Sequence, residues 1–394
     1  MLRLPGVLPL FAAGAFARLP MGALTLLMIL RTHEATGSFA RGGLVAGAYT
    51  LSLGLSNPAL ARAVDRRGQT LVLRAAAPVS AAGIVAFALV PAGTSAFALV
   101  ALAIVAGAAQ PPVGACMRAL WPVLAPSPDQ RHAAFALEGV AMEIIYICGP
   151  VLIVGAIGSW SILAALLVCA GTLLAGDLLF STRAPSREWR PADGGRERHV
   201  AGALRAPGVR VLVAVFFLCG LAVGAVEVGV PAALTPGGHT ELTGPLLGLW
   251  GVGSMAGGLI VGRVGAPADA PRRLVFLLAA WGAAHAALAL EFGPVSLGVL
   301  LLLAGVAIAP TFVCANGMLD ALAPAGTITE AFTWTSTGMT AGLAIGAAVA
   351  GAIVDGAPAG VAFAVLGAAG LLAAALVRVA TPGPLRPAAA LARG

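Results

Sequence analysis

Apolar residues run through this chain in long stretches, and its charges and polar side chains collect in short gaps between them. A membrane-crossing helix needs roughly 20 apolar residues, and breaks at charges, Pro and Gly leave about twelve runs of that length. They fall near 7–30, 43–61, 71–90, 95–117, 133–157, 160–181, 209–233, 244–263, 273–292, 294–317, 329–354 and 359–380. The pattern predicts an all-α polytopic membrane protein. Glycines four residues apart at Gly253/Gly257, Gly258/Gly262 and Gly342/Gly346 predict close helix crossings.

The longest polar stretch, "TRAPSREWRPADGGRERHVAGALRAPG", divides the runs six and six. It predicts an N-terminal six-helix bundle over 1–182, a linker over 183–208 and a second six-helix bundle over 209–394. A short amphipathic piece is expected in the linker near Val200 to Leu204.

Composition supports the membrane reading. Hydrophobic residues make up 59% of the chain and charged residues only 10%, against about 25% charged in soluble domains. The net charge is +7, and all 23 basic residues are Arg. With the N-terminus in the cytoplasm, every Arg except Arg18, Arg31 and Arg41 falls in a cytoplasmic segment. That bias predicts an N-in/C-in topology and accounts for the basic charge without nucleic acid. The linker's arginine cluster has anionic membrane lipid headgroups within reach, with an ordinary solvated linker the preferred reading. The start imitates a secretory leader, but its apolar run passes Arg18 and continues to Leu30, as an uncleaved first helix would. Five scattered cysteines lie in apolar runs with no metal-ligand spacing and read as small core side chains.

Ionisable groups inside such runs are expensive, and so point to function. They are Arg18, Glu138, Glu143, Asp177, Glu227 and His285. Counting about 1.5 Å per residue from the ends of their runs puts Arg18 and Glu143 at matching depth. Glu138 and Glu143 point about 140° apart on one helix. Arg18 is therefore expected to pair with Glu143 on a face shared with Tyr146, leaving Glu138 nearer the cytoplasmic gate. Glu227 has no evident cationic partner and is the better proton carrier. His285 reads as a hydrogen-bonded core residue, and Asp177 as a hydrated group near the interface. Gln110, before Pro111 and Pro112, and the aromatic groups Tyr49, Tyr146 and Trp334 are expected to line a path. Half of the hydroxyls in "TITEAFTWTSTGMT" are expected to bond back to their own helix.

The loop "ARAVDRRGQT" resembles the signature loop of the major facilitator superfamily through Asp65, Arg66 and Gly68. Ala61 replaces its leading Gly, and Gln69 and Thr70 replace its trailing basic pair. A second-half copy keeps Gly262 and Arg263 but has Ala266 in the acidic place. Gly149 and Pro150 resemble the exporter-associated Gly-Pro motif, whose later glycine pair is reduced to Gly155. The resemblance implies two six-helix bundles that rock about a midplane site, with the loop latching a cytoplasmic gate. Arg118 is the expected local partner of Asp65.

A secondary active transporter of the cell membrane is thus expected, in an efflux-like branch, acting as a monomer by proton-coupled export of a small molecule. The alternatives are a symporter or uniporter importing a small, possibly anionic, solute, and a non-transporting sensor of the same fold. No cofactor is expected. The chain carries no catalytic constellation and no nucleotide-binding motif, so neither an enzyme nor direct ATP drive is expected.

Overall fold

The computed structural model describes residues 6–124, 128–189, 202–264, 269–324, 327–381 and Leu385. Regular structure among them is helical throughout. Proline and glycine set the breaks within the predicted runs. The first run is two helices, α1 (Val7–Arg18) and α2 (Leu24–Thr36), separated by a 3₁₀ turn over Leu19–Gly22. Pro20 removes an N–H there, and Gly22 packs against the Ile145 carbonyl oxygen too closely for a Cβ.

α3 (Phe39–Arg67) and α4 (Gln69–Ala88) are joined by Gly68 alone, at φ +86°, a conformation that glycine adopts without penalty. Pro111 and Pro112 divide α5 (Ala96–Ala108) from α6 (Val113–Leu124). α7 (Pro128–Cys148) loosens at Gly149–Pro150 into a π-helical stretch over Gly149–Gly158, where the missing N–H permits the wider turn. α8 (Ile162–Thr182) and the short α9 (Ala184–Glu188) follow.

The second half contains α10 (Pro207–Leu234), α11 (Thr243–Val264), α12 (Ala270–Ala286), α13 (Pro294–Val306), α14 (Ile308–Leu322), α15 (Ile328–Val354) and α16 (Ala359–Ala380). Among the described residues, eleven helical stretches are long and apolar enough to cross a membrane. α3 falls short of that hydropathy because it carries Tyr49, Thr50, Ser52, Ser56 and Asn57.

Two compact units emerge. One comprises residues 1–37, 48–195 and 243–248; the other comprises 38–47, 196–242 and 249–394. Each therefore takes in a strip from the half of the chain opposite to the six-plus-six division. In the first unit, Trp121 and Phe180 lie in a core with Leu10, Leu73 and Met117. In the second, Trp281, Phe216 and Leu278 are surrounded by α10, α12, α14 and α16.

Glycine makes the closest seams. A Cβ on Gly342 or Gly346 of α15 would fall on the Phe217 or Leu221 carbonyl oxygen of α10. Gly253 and Gly257 of α11 meet the Leu302 and Val306 carbonyl oxygens of α13 in the same way. In the second unit, Asp355 accepts the Phe39 N–H at 2.7 Å and a hydrogen bond from the Ser38 hydroxyl, capping the start of α3.

The linker differs from expectation. Among its described residues α9 is helical, and residues 203–205 form a single 3₁₀ turn. The rest of the expected amphipathic piece, Val200 and Ala201, lies outside the described residues.

Candidate functional site

The break after Arg18 makes that residue the last of α1, although it lies in the middle of an apolar run. A helix C-terminus carries partial negative charge, so a cation is better tolerated there than in a continuous helix. Arg18 is 5% exposed. Its Nε donates to the Gly14 carbonyl at 3.0 Å, and Nη1 donates to Glu138 Oε1 at 2.9 Å. The partner seen in the structure is thus Glu138. The depth argument passed over it because of the position of one helix end. α7 starts at Pro128, five residues before the apolar run does, which puts Glu138 about 15 Å from its helix start and Arg18 about 16 Å from its own. Glu143 is in α7, and its side chain lies outside the described residues.

Glu138 is a hub rather than a group set apart near a gate. It is 5% exposed, and its second oxygen accepts Trp121 Nε1–H at 3.2 Å. Arg118 Nη1 stands 3.8 Å from Oε1, at the edge of ion-pair range, with its side chain 57% exposed. Arg118 therefore stands within ion-pair range of Glu138, and no ion pair with Asp65, its expected partner, is found among the described residues. Met142 and Tyr146 extend the same face of α7. The Met142 sulfur lies 3.7 Å from Arg18 Nη1, and Tyr146 is half exposed within electrostatic reach of the guanidinium. Arg18 Nη2 is buried and has no hydrogen-bond partner among the described residues.

A second polar contact in this unit joins the α5–α6 break to α3. Tyr49 donates its hydroxyl hydrogen to Gln110 Oε1, and both residues are buried. Gly107 makes this approach possible, since a Cβ there would strike the Tyr49 carbonyl and the Ser52 hydroxyl.

The signature loop is split in its surroundings. Asp65 and Arg66 are exposed, whereas Gln69 is fully buried. Gln69 Nε2 donates to the Cys116 carbonyl at 3.0 Å, and its Oε1 accepts the Ser186 hydroxyl at 3.0 Å. A position read as a lost basic residue therefore ties the loop to α6 and to α9. The second-half loop, residues 265–268, lies outside the described residues, as does the side chain of Arg263.

Asp177 overturns its expected hydration. It is 1% exposed, with Oδ1 buried and unpartnered. The preceding Gly176 rides directly on the Ala17 backbone, and this close crossing draws α8 inward. A buried carboxylate without a partner is destabilising. Asp177→Asn is accordingly expected to raise the thermal unfolding temperature of the detergent-solubilised protein. A lower temperature would mean that the carboxyl group is hydrated after all.

In the second unit, Glu227 of α10 is half-buried, with Oε2 fully shielded and without a hydrogen-bond partner among the described residues. Trp334 Nε1 donates to Glu330 Oε1 at 3.2 Å on α15. Thr335 and Thr337 bond back to carbonyls of their own helix. His285 is buried. Its Nδ1 lies 2.8 Å from the Trp281 carbonyl oxygen, and its ring stacks on Trp281 at 5.0 Å between centroids.

A family model described as Major Facilitator Superfamily matches residues 10–326. Among solved structures, the nucleoside transporter NupG superposes with a TM-score of 0.77 at 13% identity, covering 96% of this chain and 100% of that one. A peptide transporter POT in complex with sulfate gives 0.73 at 14% identity, covering 98% and 96%. The human organic anion transporter MFSD10 gives 0.62 at 19% identity, covering 95% and 99%. A sequence search of curated proteins returned no match.

Proposed function

The chain belongs to the Major Facilitator Superfamily, and from that premise we propose a proton-coupled carrier that moves a small molecule by alternating access across the cell membrane. The family membership makes it a multi-pass membrane transporter. The arginine distribution supports a cytoplasmic placement of both termini.

The observation that carries proton coupling is the difference between two carboxylates. Glu138 is occupied by Arg18, Trp121 and, more loosely, Arg118. Glu227 has a shielded oxygen that no protein donor fills. A carboxylate with three donors set on it has a fixed structural task, while one whose oxygen no donor fills is available to bind a proton. Glu227 is therefore the proton carrier, and Arg18–Glu138 is the charge pair that orders α1, α6 and α7.

The export direction suggested by the Gly-Pro motif has a competing explanation in packing. Gly149 lies against the Gly22 backbone, where a Cβ would be under 3.0 Å away, so close packing alone accounts for that residue. The sign of transport is left to the experiment.

A second reading concerns the cargo. The unpartnered Arg18 Nη2 is a buried donor suited to a carboxylate or phosphate, which favours an anionic substrate.

Both readings are tested by flux in proteoliposomes, with pH gradients of each sign and a panel of neutral, cationic and anionic compounds. Gradient-driven flux that falls to the gradient-free rate in Glu227→Gln supports proton coupling through Glu227. Wild-type flux indifferent to the gradient would overturn the coupling and leave a uniporter. A wild-type protein that moves no compound would favour the sensor.

A further inference from the structure

The last two turns of α3 carry a basic stripe that the transport reading does not use. Ala59, Arg62, Ala63, Arg66 and Arg67 follow the i, i+3, i+4, i+7, i+8 spacing of one helix face and line a cavity of about 310 Å³. Ala63 and Arg67 also line a second, larger cavity of about 520 Å³, so the two adjoin at these residues. The larger one is apolar apart from Arg67. Leu60 and Ala63 of α3 form one wall, Val105 and Ala108 of α5 another, and Leu71, Ala75 and Val79 of α4 the floor. That floor repeats every four residues and is exposed along its length.

Dimensions and charge together identify an occupant. From Gln69 at the start of α4 to Val79 is ten residues, or about 15 Å, half of a hydrocarbon core of about 30 Å. The groove therefore runs from the arginine-bearing end of α3 to about the middle of the membrane. Its length matches the acyl chain of one leaflet, and its volume lies within the usual 300–1,000 Å³ range of ligand pockets. No acidic residue lines either cavity. Asp65, on the same turn of α3, is exposed and lines neither. Arg62 Nε donates to the Pro58 carbonyl at 3.1 Å, which directs that side chain back along the helix.

We propose that this groove and its basic mouth form a binding site for one anionic phospholipid, with an acyl chain over Leu71, Ala75 and Val79 and the phosphate among Arg62, Arg66 and Arg67. Clusters of arginine at the cytoplasmic end of a membrane helix attract anionic headgroups in this way. Arg67, common to both cavities, marks the junction between headgroup and chain. The site is separate from the Arg18–Glu138 pair, and it stands whether or not Glu227 carries protons.

The test is native mass spectrometry of the full-length protein from detergent, with phosphatidylglycerol or phosphatidylcholine added. Wild type is expected to retain one phosphatidylglycerol more tightly than phosphatidylcholine. Arg62→Gln/Arg66→Gln/Arg67→Gln should weaken that retention by roughly 100-fold, at about fivefold for each arginine. Val79→Trp, which fills the groove and leaves the arginines in place, should weaken it as well. Circular dichroism melts establish that each variant is folded, and Val79→Trp serves alone if the triple variant is not. Equal retention of the two lipids would overturn the proposal. So would undiminished retention by Val79→Trp, which would reduce the site to a basic surface, or displacement of the lipid by millimolar inorganic phosphate, which would make it a site for soluble anions.

Discussion

Replacing Glu138 with Ala is expected to destabilise the protein by about 3–5 kcal/mol, the range found when one partner of a buried ion pair is removed. The size follows from what is left behind. Arg18 stays 5% exposed with Nε on the Gly14 carbonyl, while Nη1 keeps only the weak Met142 sulfur acceptor and Nη2 gains nothing. Trp121 Nε1–H loses its acceptor in the same step. Thermal or denaturant unfolding in detergent measures the loss. Adding Arg18→Met to Glu138→Leu should recover most of the stability, because two apolar side chains restore a matched interior. The double-mutant cycle then gives the coupling of the pair. A single variant as stable as wild type would show that the pair does not hold α1 to α7. A stable double variant that no longer transports would separate a functional role for the pair from its structural one.

A second large effect is expected at the α10–α15 seam. Gly342→Leu puts a Cβ on the Phe217 carbonyl oxygen, and no rotamer relieves a clash with backbone. Loss of monodisperse protein on size-exclusion chromatography is the expected outcome. Gly317→Ala in α14 is the matched control, because a Cβ there meets nothing within 4 Å. In an open helical position it should stabilise by about 0.5–1 kcal/mol through helix propensity. If both variants behave alike, glycine in this chain is a matter of composition and not of contact.

The spans were legible in the sequence because hydropathy and the punctuation of Pro, Gly and Arg act locally. The turn at Gly68 and the break after Gly158 fell where those signals put them. The site was legible as a set of residue types but not as pairs. Choosing Glu143 over Glu138 turned on five residues of helix start, and α7 begins in "PDQRH", a stretch too polar to count toward an apolar run. The break at Leu19–Gly22 was signalled by Pro20, and with it the helix terminus that makes Arg18 tolerable. Gln69 and Asp177 were misread for another reason. Their burial is set by elements far away in the chain, Cys116 and Ser186 for the first and the Ala17 backbone against Gly176 for the second. No local pattern reports such packing.

The sharing of Glu138 by two arginines has an electrical consequence. Counted formally, Arg18, Arg118 and an ionised Glu138 sum to one excess positive charge. A full elementary charge carried across the bilayer responds to the membrane potential by about 2.3 kcal/mol per 100 mV. Any conformational step that shifts this trio along the field takes a share of that energy in proportion to the distance moved. The empty carrier would then be voltage-sensitive on its own account, and a bound anion would cancel that sensitivity.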